Sequence, residues 1–466
     1  MPYWTPRVDT AWFFTAGKAW MEGMTPYIDF ADSKGPLLWL IYGIGYLLSP
    51  TTYHGVFWLS VMAYTVTFEL LWRTARLFST RRNAAIVLGV MPLLLFSRAF
   101  HYEVRAEDFC MPWVCASLYC TIQTLLWADK KKISTSCTDS NAKTLNKYAF
   151  WLGVGMAWGL LVKWNMFFMM GGMALVVAGV AIAKKQPSAI VGGLIGIILP
   201  VIPFAIYLMA TGTFDAMIKE YFINTFLITD HGSGKGMWTA VIINNCTNLR
   251  TTFKTLALFA IMIGMYWFCR QQNMSKWLLL AFIPFFLFLE LKAPWPYYMA
   301  SAIPFFIFML IECTNKVSKN ISKLSKPQYL IILTTICLLT TISNIRASRF
   351  TFLGAKQSPK EMAIEKILLQ KPYCKIMYRY HDIGWGVSAR ALPACKYWAE
   401  QNGATQEMKE DRQNAIRLRK ADFYIDESIK SDMQDLLLSS GYRQCRQPIT
   451  INGKRVMKTL TIYERK

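Results

Sequence analysis

Ten apolar runs at or near membrane length recur between residues 54 and 345, and that repetition constrains this chain more than any other feature. They lie at about 54–72, 84–97, 109–128, 148–162, 166–183, 188–210, 253–269, 277–290, 296–313 and 328–345. A span needs about 20 apolar residues to cross the hydrocarbon core as a helix. With 54% hydrophobic and 15% aromatic residues in 466, the chain reads as a polytopic α-helical membrane protein of about ten transmembrane helices plus interfacial helices. The run after Pro36, LLWLIYGIGYLL, is too short to span and predicts an interfacial or partly inserted helix.

Charge then orients the spans. The loops 73–83, 129–147, 184–187, 270–276 and 314–327 hold 17 Lys/Arg in 55 residues. The opposite loops 98–108, 163–165, 211–252 and 291–295 hold 7 in 61. The positive-inside rule makes the first set cytoplasmic and places both ends of the chain outside. Much of the net charge of +23 sits in these short loops, and no nucleic-acid motif or stacking platform accompanies it. Nucleic acid is excluded as a partner. The 11 cysteines show no paired metal spacing: Cys110, Cys115 and Cys120 read as apolar filler, and no disulfide is assigned among Cys374, Cys395 and Cys445. No cleavable signal pattern opens the chain.

Hydropathy drops from about residue 346. Residues 346–466 alternate strand-like runs (CKIMYRY, ADFYI, LTIYER) with helical ones (PKEMAIEKILL, SDMQDLLLSSG), which predicts a small extracytoplasmic α/β domain. The chain therefore divides into a transmembrane part, 1–345, and a soluble part, 346–466. Within the first, residues 1–53 form an extracytoplasmic interfacial loop and juxtamembrane helices. The second part carries 23 Lys/Arg against 13 Asp/Glu, and a basic surface can also lie against anionic lipid.

Chemistry concentrates from Arg7 to Pro36, where Asp9, Glu22, Asp29, Asp32 and Lys34 interleave with aromatic residues. Dense charge avoids hydrocarbon and dense aromatics avoid open water, so the stretch belongs at the interface. Asp9, at the start of a short aromatic helix expected to end at Gly23, is either a cap or a general base at the membrane surface. In DFADSKGP, extended geometry would put Asp32 and Lys34 on one face, and turn chemistry is the competing reading. Lys34 is a compact cation suited to a phosphate at headgroup depth, beside a helix whose N-terminus at Pro36 also favours an anion.

The loop SRAFHYEVRAEDF, 97–109, gathers Arg98, His101, Glu103, Arg105, Glu107 and Asp108 at a membrane edge. Such residues are either mutually paired or functional. Asp32, Glu107 and Asp108 have the hard oxygens that a divalent cation (Mg, Mn or Ca) takes, and the metal is left open. Lys163 either snorkels to the interface or serves as a second phosphate cation. Glu290 and Lys292 ahead of PWPYY, with Tyr297 and Tyr298, repeat the pattern beside an aromatic belt. The segment DHGSGKG, 230–236, lacks the spacing of a phosphate loop and reads as a lid or plain loop.

The pattern D-x-x-W-F-F…G-x-x-P-Y-x-D-F…D-S-K-G-P-L-L, from Asp9 through Leu38, resembles the first external loop of the multi-span GT-C-type glycosyltransferases. These use polyprenyl-phosphate sugars and include protein mannosyltransferase and aminoarabinose transferase relatives. The specific motifs cover the first ~40 residues and the region of Arg105–Asp108, while the likeness in span layout covers most of the chain. It implies Asp9 as the base that activates the acceptor, Lys34 as a ligand of the lipid phosphate, and Glu107 or Asp108 as the acidic second-loop site. The residues themselves add Arg7, Asp32, Lys163 and Arg105 as candidates at the lipid phosphate or donor, and Asp29, Glu290, Lys292, Tyr297 and Tyr298 as further site candidates. The family places a span before the Asp loop, and none stands before Asp9 in this sequence. Gly35-Pro36 stands where the family has Pro-Pro.

The expected activity is transfer of a hexosyl or pentosyl group from a polyprenyl-phosphate sugar to a hydroxyl acceptor on lipid, glycan or protein. It would occur at the extracytoplasmic face of a bacterial inner membrane, with inversion if the displacement is direct. The competing classes are a flippase of lipid-linked sugars, which would use the same anion-binding groups without a base, and a noncatalytic assembly factor.

Overall fold

The computed structural model describes residues 8–96, 104–130, 139–224, 249–274, 276–291, 296–322, 324–352, 359–400, 405–426, 433–451 and 454–466. The chain opens with α1 (Val8–Met21), α2 (Pro36–Leu48), α3 (His54–Arg76) and α4 (Arg81–Leu95). Next come α5 (Ala106–Lys130), α6 (Asp139–Val162), α7 (Trp164–Ala183) and α8 (Pro187–Ala210). A short α9 (Phe214–Met217) continues as a π-helical turn, Ile218–Ile223. Then follow α10 (Leu249–Gln271), α11 (Trp277–Leu291), a 3₁₀ segment Pro296–Phe305, α12 (Phe306–Ser322) and α13 (Lys326–Phe352).

All ten expected spans fall on helical segments. Five, His54–Arg76, Ala106–Asp129, Trp164–Ala183, Pro187–Ala210 and Met299–Val317, are long and apolar enough to cross a membrane among the described residues. By these helices the chain is an integral membrane protein. The α2 helix has the expected 13 residues, with Pro36 at its first turn where a missing N–H costs nothing. The first helix is longer than the two turns expected. Its 14 residues end where Gly23, at φ +87°, lets Met24 N–H reach back to Ala19 O.

After α13 the chain forms α14 (Pro359–Leu369), β1 (Lys375–Tyr378), β2 (Leu392–Pro393), α15 (Gln406–Arg417), β3 (Phe423–Ile425), α16 (Gln434–Ser439), β4 (Tyr442–Ile451) and β5 (Lys454–Arg465). The sheet order is β2-β1-β3-β5-β4. Strand β1 runs parallel to β2 and β3, with Ile376 opposite Pro393 and Phe423. The β3–β5 and β4–β5 pairs are antiparallel, and a bulge interrupts the latter at Gln444/Arg446.

Side chains alternate across this sheet with period two. Ile376, Phe423, Ile425 and Ile462 join the large core that runs through α14 and the N-terminal helices. Met377, Tyr424 and Tyr463 face a second core with Ala415, Ile416 and Leu437 of α15 and α16. Cys374, Cys395 and Cys445 are all free and buried.

The sheet region rests directly on α1 and the loop after it. Trp12 and Trp398 bring their ring centroids to 4.8 Å, and Ala31 N–H donates to Lys396 O. The N-terminal polar stretch and the C-terminal region therefore share one end of the helical bundle.

Candidate functional site

The site is assembled where α1, the 25–35 loop, the start of α5 and the α6–α7 junction meet. Thr10 Oγ1 and Tyr42 OH both donate to Val104 O, at 2.7 and 3.0 Å, which ties α1 and α2 to the segment entering α5. That tie sets Asp9, in the first turn of α1, beside Arg105: Nε to Oδ2 is 3.7 Å. The Arg105 side chain is only 9% exposed, whereas Asp9 is 38% exposed. One partner is thus walled in and the other faces an approachable surface.

Asp108 works inward. Its Oδ2 accepts Arg105 N–H (3.0 Å) and its Oδ1 accepts Tyr64 OH (2.7 Å), so this carboxylate caps the start of α5 and holds it to α3. Glu107 forms a buried ion pair with Lys163. Snorkelling is therefore corrected for Lys163: its chain leaves α6 at Val162, takes an extended conformation at 163, and re-enters a helix at Trp164. The break turns the ammonium toward Glu107. A lone Lys at this depth would reach for water; a carboxylate within bonding distance makes burial tolerable.

The same junction fixes Lys34. Gly35 N–H donates to Val162 O, and a Cβ at position 35 would sit 2.0 Å from Leu161 O, so the backbones touch and only glycine fits. Tyr27, at φ +67°, donates its hydroxyl to Lys34 O (3.0 Å). The Lys34 ammonium lies 5.5 Å from the Phe13 ring centroid, 3.7 Å from Asp32 Oδ2 and 3.2 Å from Ser33 Oγ. Asp9 and Lys34 are thus both tied to the first half of α1.

The turn reading of DFADSKGP prevails over the extended one. Asp29 Oδ2 accepts Thr25 N–H (2.7 Å) and Asp32 Oδ1 accepts Ser33 N–H (2.6 Å), as expected of Asp in turns. Asp29 stabilises the loop and makes no contact with Asp9 or Lys34 among the described interactions. Asp32, Glu107 and Asp108, offered as ligands for a divalent cation, engage different partners. No group of three His, Cys, Asp or Glu side chains placed to hold a metal occurs among the described residues. Arg7, Arg98, His101, Glu103, Lys292 and the 230–236 segment lie outside the described residues, as do the side chains of Glu290, Tyr297 and Tyr298.

Three buried groups at this end were not singled out from sequence. Glu220, in the π-helical turn, accepts from Tyr397 OH (2.7 Å) and Asn224 Nδ2 (3.0 Å) and pairs with Lys396 Nζ (2.6 Å). Asp382 accepts from Thr15 Oγ1 (2.6 Å), Trp398 Nε1 (3.2 Å) and Gly384 N–H (2.9 Å). Lys18 is wholly buried, and its ammonium has no hydrogen-bond partner among the described residues. Burial pushes it down to about 8, against the pull of Asp382. A lone Lys, Asp or Glu in sequence carries no sign of a partner more than a hundred residues away.

No family model and no curated protein sequence matches this chain. Among solved structures, it is similar to ArnT from Cupriavidus metallidurans bound to undecaprenyl phosphate, with a TM-score of 0.59 at 10% identity over 99% of this chain and 94% of that one. The apo state of the same protein gives 0.57 at 13% identity with the same coverage. The archaeal oligosaccharyltransferase AglB from Archaeoglobus fulgidus, in complex with an inhibitory peptide and a dolichol-phosphate, gives 0.47 at 10% identity over 97% and 70% of the two chains. The chain thus has the fold of ArnT, a helical membrane bundle with a C-terminal α/β region, as the Asp9–Leu38 resemblance implied for the fold.

Proposed function

We propose that this chain is a GT-C-type membrane glycosyltransferase that moves a sugar from a polyprenyl-phosphate donor to an acceptor hydroxyl at the extracytoplasmic face. The observation that carries the reading is the Asp9–Arg105 pair. It puts a partly exposed carboxylate beside a buried guanidinium, one turn of α1 before Phe13, whose ring lies 5.5 Å from the Lys34 ammonium. Support comes from the shared fold with a protein captured with undecaprenyl phosphate.

In this reading Asp9 takes the proton of the acceptor hydroxyl as its oxygen forms a bond to the anomeric carbon. The bond from that carbon to the phosphate oxygen breaks, and the lipid phosphate leaves as an anion with inversion at carbon. Lys34, the N-terminus of α2 and Arg105 are the charges that stabilise the departing phosphate. Lys163 acts through Glu107, as a positioning residue. Residues 1–345 are the catalytic membrane part and 346–466 an extracytoplasmic domain seated over it, an orientation supported by the excess of Lys/Arg in the opposite loops.

The test uses purified full-length protein with a pool of polyprenyl-phosphate sugars, following release of lipid phosphate. Asp9→Asn is expected to lower turnover by about 10²-fold or more while leaving donor binding in place. Unchanged turnover would remove Asp9 from the reaction.

A further inference from the structure

We propose that a groove between α3, α4 and α13, at the end of the bundle away from Asp9, seats one acyl chain of an anionic phospholipid whose headgroup rests on a collar of basic side chains. The groove measures about 540 Å³ and is walled by Phe68 and Trp72 of α3, Ala85, Gly89 and Pro92 of α4, and Cys337 of α13. Its place along the bundle follows from α3. Tyr64 of that helix bonds Asp108 at the candidate site, and Phe68 and Trp72 lie one and two turns further toward Arg76. Apolar walls among membrane helices exclude water and suit a hydrocarbon chain.

The mouth of the groove selects the headgroup. Arg73 and Arg76 end α3, Arg81 and Arg82 begin α4, and Lys326 begins α13, each within about two helical turns of a lining residue, Trp72, Ala85 and Leu333 respectively. Arg82 fastens the feet of α4 and α13: its guanidinium lies 5.4 Å from the Tyr329 ring centroid and donates to Leu324 O at 3.2 Å. Arg81 and Lys326 are exposed. Glu69, on α3, offsets Arg73 alone, with Nε to Oε1 at 2.7 Å. The N-termini of α4 and α13 add partial positive charge at the same place. Among the described residues, five cations and two helix N-termini against one carboxylate suit a phosphate diester with net negative charge, and give a zwitterionic headgroup no advantage. The inference needs only that the bundle spans a membrane and is independent of the transferase reading.

The test is native mass spectrometry of full-length protein in mild detergent, titrated with phosphatidylglycerol and with phosphatidylcholine of the same chains. One phosphatidylglycerol is expected to be retained in preference to phosphatidylcholine. The double variant Arg81→Gln, Lys326→Gln should weaken phosphatidylglycerol retention roughly 25-fold, at about fivefold per cation, and leave phosphatidylcholine unchanged. Ala85→Phe should exclude both lipids.

Cys337 supplies a measurement on the unfilled groove, since it is exposed there; Cys313, also exposed, and Cys137 and Cys246, outside the described residues, are replaced by Ser. Its modification by a thiol reagent should be severalfold slower in equimolar phosphatidylcholine–phosphatidylglycerol vesicles than in phosphatidylcholine alone. Equal retention of the two lipids, retention unaffected by Ala85→Phe, or equal Cys337 rates in the two vesicles would overturn the proposal. A dimer mass abolished by Ala85→Phe would overturn it too, by making a second copy of the chain the occupant.

Discussion

Thr15 donates its hydroxyl to Asp382 Oδ2 across 2.6 Å, joining the first helix to the C-terminal region over 367 residues of sequence. Asp382 is fully buried and accepts two further hydrogen bonds, from Trp398 Nε1 and Gly384 N–H. This one carboxylate fastens the α/β region to the helix that carries Asp9.

Replacing it tests that role. Asp382→Ala strands three buried donors and removes the carboxylate that most opposes the burial of Lys18, a change expected to cost about 3 kcal/mol or more. Thermal unfolding of the detergent-solubilised protein should shift down by several degrees, with Asp382→Asn intermediate. An Ala variant as stable as the parent would show that the junction is held by apolar contact alone.

Lys18 makes the opposite prediction. Its folded-state value of about 8 lies below the 10.5 of an exposed lysine, so between the two the unfolded chain binds more protons and stability rises with pH. Below pH 8 the penalty is fully present, roughly 3 kcal/mol. Lys18→Met should therefore raise the melting temperature at pH 7, and the gain should shrink as pH climbs toward 10.5. A gain that does not vary with pH would place its origin elsewhere than the buried ammonium.

The Glu107–Lys163 pair separates structure from chemistry. Lys163→Met alone leaves a buried carboxylate without its cation, an expected loss of about 3–5 kcal/mol. Adding Glu107→Gln should restore most of that stability. If the double variant is stable and still turns over lipid-linked sugar, Lys163 only supports the fold; if it is stable and inactive, the pair positions the site.

Gly35 is the tightest backbone contact at the site. A methyl group there would meet Leu161 O at 2.0 Å, and the carbonyl cannot rotate away without moving α6. Gly35→Ala is expected to cost about 1–3 kcal/mol and to displace Lys34, which on the proposed function weakens retention of a polyprenyl phosphate by the purified protein. Equal retention by parent and variant would sever the link between this contact and the Lys34 position.

Much of the C-terminal region was legible in its alternation. CKIMYRY, ADFYI and LTIYER became β1, β3 and β5, because each face of these strands had a core to meet. Strands β2 and β4 and helix α15 went unread: Leu392–Pro393 is two residues long and polar Tyr442–Ile451 owes its pairing to β5. At the site, Asp9, Lys34, Arg105, Glu107, Asp108 and Lys163 were legible as a group, since charges at the ends of apolar runs must collect at an interface.

The sequence by itself determined that this chain is a bundle of membrane helices with a polar, aromatic first loop and an α/β tail, because apolar length and period are local properties. Only the tertiary structure decided who pairs with whom: Asp9 with Arg105, Glu107 with Lys163, Asp108 with Tyr64, and Asp382 with Thr15. A carboxylate reads the same in sequence whether it caps a helix, neutralises a buried lysine or faces an acceptor. Which of these it does depends on neighbours that packing brings from distant parts of the chain, and on how much water that packing leaves behind.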